Sequence, residues 1–142
     1  MAKQMTVGER RALLLAGTRT GILCTVRADG RPHAAPVWFT VDGDDVLFTT
    51  GADTVKGRTL RRDGRAVLAV DEGTPPYDFV TIEGRVELSA DLDEVLRWAT
   101  VLGERYMGQD RGAAFGARNA VPGELLVRLR PGKIIALAAI AD

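Results

Sequence analysis

Residues 20–51, TGILCTVRADGRPHAAPVWFTVDGDDVLFTTG, decide how the chain folds. Ile22, Cys24 and Val26 alternate with Leu23, Thr25 and Arg27, which is the period of a strand. ADGR supplies one Asp-Gly turn and DGDD a second. The stretch therefore reads as a three-stranded meander over residues 19–28, 32–41 and 45–50. Pro32 and Pro36 predict an irregular start or a bulge in the middle strand, because proline gives a ladder no N–H. Strands joined by such tight turns run antiparallel.

The flanks follow the same logic. Thr6 and Glu9 stand three apart, as in a capping box, and predict a first helix that stops at Gly17. Residues 54–63 read as a short helix, capped by Asp53 or Thr54 and ended by Gly64. RAVLAVDE is a mostly apolar strand and GTPPYD a loop. In FVTIEGRVELS, Val80, Ile82, Val86 and Leu88 share one strand face and Thr81, Glu83, Arg85 and Glu87 the other. Gly84 falls on the apolar face, as at a bulge or a close backbone approach.

DLDEVLRWATVLGERYMG is an amphipathic helix with a second capping box, Asp91 and Glu94. Its apolar stripe is Leu92, Val95, Leu96, Ala99, Leu102 and Tyr106. Residues 108–123 are Gly-rich and read as a mobile loop over the site mouth, with one helical turn near AAFGAR. ELLVRLRPGKIIALAAI reads as two strand segments broken at Pro131-Gly132. Six or more antiparallel strands with few helices imply a mainly β protein, a closed or partly closed barrel forming one domain over residues 1–142.

Composition bounds the function. The chain has 142 residues, 46% of them apolar and 27% charged, as in a globular domain. Its 19 basic and 19 acidic residues balance, which argues against binding a nucleic acid. The single cysteine, Cys24, excludes an internal disulfide and is expected as a reduced, buried thiol. No apolar run reaches the ~18 residues that span a bilayer, and MAKQMTVGERRALLLAG lacks the pattern of a signal peptide. A cytoplasmic protein with no membrane partner is expected.

Familiar chemistry is absent. One histidine, His33, and one cysteine make no zinc set, and DGDD is a hairpin turn rather than a carboxylate metal site. There is no GxSxG, no GxGxxG after a strand and no GxxxxGK[ST]. No catalytic residue is identifiable. What remains is TVKGRTLRRDGR, where Lys56, Arg58, Arg61, Arg62 and Arg65 gather after a strand in an otherwise neutral chain. A helix start offers free N–H groups and a partial positive charge, and Thr49, Thr50 and Thr54 add hydroxyls, which suits a phosphate monoester. The competing reading is a solvated helix face, to which Arg62 and Arg65 belong. Trp38 and Phe39 fall on opposite faces of one strand. One is expected in the core, and the other walls an aromatic cofactor or packs in a subunit contact.

Three stretches, GILCTVRADGRPHAAPVWFTVDGDDVLFTT, TVKGRTLRRDGRAVLAVD and TIEGRVEL, resemble the pyridoxamine 5′-phosphate oxidase-like superfamily of split β-barrel flavin-binding proteins. The likeness covers roughly residues 10–140 and is greatest to the actinobacterial branch that uses the deazaflavin coenzyme F420. It implies a homodimer with two cofactor sites between the subunits. It implies that Lys56, with Thr49 and Thr50, holds the cofactor phosphate, and that Arg58 and Arg61 serve the phosphate or the anionic tail. Pro36, Val37 and Trp38 would line the deazaflavin ring, and Tyr77 and Phe79 would reach the site from the partner chain. The activity implied is hydride transfer from reduced F420 to a small unsaturated or quinone-like acceptor. The alternatives are an FMN-dependent oxidase or reductase of the same fold and a cofactor-binding carrier without turnover. RPGKIIALAAIAD contains no histidine, unlike the substrate-phosphate motif of the true oxidases, which argues against pyridoxamine phosphate as substrate. His33 sits on the wrong kind of segment for an axial haem ligand.

Overall fold

The computed structural model describes residues 1–142. In chain order its elements are β1 (Lys3–Gln4), α1 (Val7–Leu15), β2 (Gly21–Val26), β3 (Pro32–Val37), β4 (Thr40–Asp42), β5 (Asp45–Gly51), α2 (Val55–Arg62), β6 (Arg65–Glu72), β7 (Asp78–Ser89), α3 (Leu92–Met107), a 3₁₀ turn (Gln109–Arg111), α4 (Gly112–Asn119) and β8 (Glu124–Ala138). The strands form one antiparallel sheet in the order β3-β2-β6-β7-β8-β5-β4, with β1 added beside β8. The two ends of that path, β3 and β4, are consecutive in the chain yet share no ladder. The barrel is therefore split along a seam through Trp38 and Phe39, as its mainly β, split-barrel reading requires.

The core lies inside this curl. Leu23, Leu68, Val80, Ile82, Val127 and Leu129 point inward from four strands, with Phe39 and Phe48 among the largest fully buried side chains. The helix α1 adds Leu13 and Leu14, and α2 adds Leu60. A second cluster, Leu47, Val95 and Leu126 with Trp98 and Ala120 against it, fixes α3 on the other side of β5 and β8. The first capping box forms as the sequence suggests: the Thr6 hydroxyl accepts from Glu9 N, and the Glu9 carboxylate accepts from Thr6 N. No helix is long and apolar enough to cross a membrane.

Several expectations are corrected. The middle strand does not run through residue 41, because β3 ends at Val37 and β4 begins at Thr40. Asp91 caps α3 through Asp93 N, and no reciprocal box forms, since the Glu94 carboxylate takes the Ser89 hydroxyl instead. The buried stripe of α3 is Val95, Ala99, Leu102 and Gly103, while Leu96 stands 41% exposed at its margin. Residues 108–123 are not a mobile loop. Most of them form the 3₁₀ turn and α4, where Gly112 and Gly116 serve packing, while Gly108 and Gly123 take positive φ in the flanking turns. A Cβ at Gly103 would come within 2.7 Å of Phe115 Cβ, and one at Gly116 would collide with the Thr100 side chain, so α3 and α4 touch backbone to backbone. Residues 124–138 are one strand, not two. Pro131-Gly132 is accommodated as a bulge: Glu83 faces Lys133, and Gly84 already faces Pro131. Gly84 is needed there, because a Cβ would strike the Arg130 carbonyl.

Candidate functional site

The α2 start is built by its own turn. The Thr54 hydroxyl accepts from Gly57 N at 3.0 Å and lies 2.8 Å from the Gly51 carbonyl and 3.1 Å from the Thr50 hydroxyl. Thr54 has one proton, which goes to the carbonyl, so the Thr50 hydroxyl donates to Thr54. A Cβ on Gly57 would collide with the Gly51 carbonyl, so only glycine lets the helix start this close to the strand it leaves. The Arg58 N–H reaches the Thr54 carbonyl, whereas the N–H groups of Val55 and Lys56 have no partner.

Lys56 lies on the same side of α2 as the buried Thr59 and Leu60, three and four residues on. That placement half-buries it, and burial alone lowers the pKa of its ammonium below the ordinary lysine value. It makes no ion pair. Glu124, which faces Gly51 across the ladder, borders this corner without neutralising it; burial pushes its own carboxyl pKa up. A partly desolvated, unpaired cation beside two free N–H groups fits the phosphate end of an anionic cofactor.

The other basic residues divide cleanly. Arg62 donates to the Val26 carbonyl, and Arg65 lies outside α2 at the start of β6 and pairs with Asp63 at 2.7 Å, so both are exposed yet tied to the protein, and only Arg62 is on the helix. Arg58 and Arg61 are exposed and make no ion pair. They share one face, three residues apart, but Arg58 points about 200° around the helix from Lys56. The structure therefore does not bring them to the Lys56 side. They form a separate cationic strip on the outward face.

Thr49 and Thr50 do not act together either. Successive strand residues face opposite ways, and Thr50 turns inward to Thr54, only 6% exposed. Thr49 is half-buried on the opposite face. Pro36, Val37 and Trp38 precede β4 in the chain. Thr40 faces Leu47, which puts the break at Trp38–Phe39 level with Phe48 and Thr49. Val37 turns into the core at 6% exposure, whereas Pro36 is exposed and Trp38 is 36% exposed. Phe39 is the core aromatic, and the Trp38 ring stacks on Tyr106.

Tyr77 and Phe79 are elsewhere in the same chain. Phe79 faces Leu137 and Thr49 faces Leu126, so they stand eleven residues, about 36 Å of contour, apart along β8. Tyr77 is 42% exposed and held at φ 66, a left-handed backbone unusual for a bulky residue. Its carbonyl accepts from Ile140 N and its N–H reaches the Thr74 carbonyl. Phe79 lies on the outer face of the sheet, where Pro36, Ile22, Ala69, Thr81 and Ile135 form a row across five strands. Ile22 is 41% and Ile135 37% exposed on this face, and Cys24 is half-buried there rather than in the core.

Sequence reasoning missed Arg105 and the joining role of Tyr106. The Arg105 guanidinium donates to the carbonyls of Leu14, Gly17 and Phe39 and lies over the Phe39 and Tyr106 rings at 4.8 and 4.9 Å. The only hint was a basic residue in the last turn of α3. No group of three or more His, Cys, Asp or Glu side chains could hold a metal ion.

Residues 8–138 match the family described as pyridoxamine 5′-phosphate oxidase. An F420H2-dependent biliverdin reductase of Mycobacterium tuberculosis is 32% identical over 95 residues, which are 65% of this chain and 66% of that one, just under two thirds. The crystal structure of the conserved hypothetical protein Rv2991 of M. tuberculosis superposes with a TM-score of 0.86 at 25% identity, covering 95% of this chain and 86% of that one. A structure described as an F420 reductase superposes with a TM-score of 0.69 at 26% identity, covering 87% and 94%. With the fold, the extent of the family match and these likenesses together, the chain belongs to the pyridoxamine 5′-phosphate oxidase family.

Proposed function

We propose that this chain is an oxidoreductase of the F420-dependent branch of its family. In this reading it works as a homodimer and reduces a small unsaturated or quinone-like acceptor. The observation that carries it is Lys56: half-buried, unpaired and set beside two unbonded N–H groups at the α2 start. The names of two relatives, an F420H2-dependent biliverdin reductase and an F420 reductase, support the choice of cofactor.

When bound, the reduced deazaflavin supplies a hydride, and the chemistry is the cofactor's own. The chain's residues bind and orient. In this reading Lys56 and the Val55 and Lys56 N–H groups would hold the phosphate, and Thr50 stiffens the turn through Thr54, while Thr49 faces the other way. The Arg58 and Arg61 strip takes the anionic tail that F420 carries and FMN lacks. Pro36 and Trp38 wall the ring.

The homodimer is supported by the outer row from Pro36 to Ile135, apolar but for Thr81, and it is the arrangement in which Tyr77 and Phe79, distant from Lys56 in their own chain, would reach the site. Those two aromatics join the site only from a partner chain. Sedimentation at micromolar concentration should give a dimer, and a clean monomer would contradict this part. The functional test is a side-by-side titration with F420 and FMN, followed by hydride transfer to quinones and enones. Tighter binding of F420 with turnover is the expected result. Preference for FMN would move the chain to the flavin branch, and binding of neither would remove the proposal.

A further inference from the structure

The seam of the barrel leaves the Phe39 backbone without strand partners, and α3 supplies them. Phe39 N–H donates to the Tyr106 hydroxyl oxygen at 3.1 Å, and Arg105 donates to the Phe39 carbonyl. The Tyr106 hydroxyl in turn lies 2.9 Å from the Arg19 carbonyl and 3.2 Å from that of Phe39. One phenol thus ties together the end of α3, the entry to β2 and the seam. Its ring then stacks on Trp38, with centroids 4.7 Å apart and planes within 7°. Phe115 of α4 flanks the same indole at 5.3 Å, tilted by 36°.

An indole at a strand break has no ladder on either side to fix its direction. Tyr106 is the parallel surface against which it rests. Trp38 nevertheless keeps 36% of its surface open, and Pro36, two residues earlier, is exposed on the same side of the chain. We propose that Tyr106 is a positioning residue: by stacking on Trp38 at the seam, it sets the indole as the wall against which the planar ring of the bound cofactor lies. This rests on the cofactor reading given above. It adds a residue that touches neither ring nor phosphate and acts only through Trp38.

The test is a double-mutant cycle on affinity for F420 and FMN, read beside the thermal midpoint. Trp38→Leu and Tyr106→Leu should each weaken binding about three- to tenfold, the scale of one aromatic pair. The double variant should be no weaker than either single one, because both remove the same wall. Tyr106→Phe keeps the stack and should bind within about twofold of wild type, even where its midpoint falls. Should Tyr106→Leu not fold, Tyr106→Met takes its place in the cycle. Three results would overturn the inference: a Tyr106→Leu protein that binds like wild type, losses that multiply in the double variant, or a Tyr106→Phe protein that binds as poorly as Tyr106→Leu. Wild-type protein that binds neither cofactor would take the functional reading down with it, an outcome distinct from those three.

Discussion

Lys56 and Arg105 are the same physical object in two settings. Each is a cation at one end of a helix, each is partly desolvated so that burial lowers its pKa, and neither has a carboxylate partner. Arg105 sits in the last turn of α3, where the helix dipole favours it, and three carbonyls occupy its donors. Lys56 sits in the first turn of α2, where the dipole opposes it, and its ammonium has no protein acceptor. A desolvated cation is therefore not by itself a sign of a ligand. The unsatisfied one, placed where the fold disfavours it, is the one that waits for an anion.

The contrast breaks most visibly in stability. Arg105→Met would take the donor from the Leu14, Gly17 and Phe39 carbonyls, of which the exposed Gly17 can turn to water and Phe39 keeps the Tyr106 hydroxyl within reach, and urea unfolding should show a loss of about 2 kcal/mol or more. Lys56→Met should cost less than about 1 kcal/mol or stabilise the protein, because it removes a charge that the fold does not satisfy. A large loss at Lys56 would mean that the lysine is structural, like Arg105.

Ligand affinity should show the reverse. Lys56→Met should weaken cofactor binding by about 1–3 kcal/mol, the value of a charge-assisted hydrogen bond, with the midpoint within a few degrees of wild type. The same lysine gives the pH dependence its sign. Its folded-state pKa lies below the unfolded one, so the unfolded chain binds more protons in the alkaline window between them, and stability rises there with pH. A bound phosphate favours the charged form. Affinity should thus fall as pH rises through the lowered Lys56 pKa, earlier than for an ordinary lysine, and Lys56→Arg should shift that fall to higher pH. A flat alkaline profile in wild type would contradict the assignment.

Two smaller effects sharpen the comparison. Thr54→Ala removes the cap that accepts from Gly57 N and should cost about 1 kcal/mol in both stability and binding, since the turn and the site are one structure. Arg58→Gln or Arg61→Gln should weaken F420 binding by about 0.5 kcal/mol each at low salt and leave FMN unaffected. Equal losses for both cofactors would return these arginines to the phosphate.

Much of the fold was legible because the alternation around Ile22–Val26 and Val80–Leu88 carries one period and the Asp-Gly turns fix the connections. The seam was not legible. Pro36 hints at an irregularity in the middle strand, but nothing local places the break between Val37 and Thr40, where Tyr106 and Arg105, some 66 residues on, take the Phe39 backbone groups. The helix α4 was hidden for a related reason, since glycine reads as loop unless the facing glycine on another helix is known. At the site, the resemblance set Lys56 on the phosphate and Arg58 and Arg61 on the phosphate or the tail, but the sequence alone did not show that they face different ways. Only the buried face shared with Thr59 and Leu60 separates them.

The most direct test of the central claim is a calorimetric titration of wild type and Lys56→Met with F420 and with FMN at neutral pH. A dissociation constant about five- to 150-fold weaker in the variant for both cofactors, with a thermal midpoint within a few degrees of wild type, is the predicted result. Equal affinity in the two proteins would show that the α2 start is a solvated helix end and not the phosphate site.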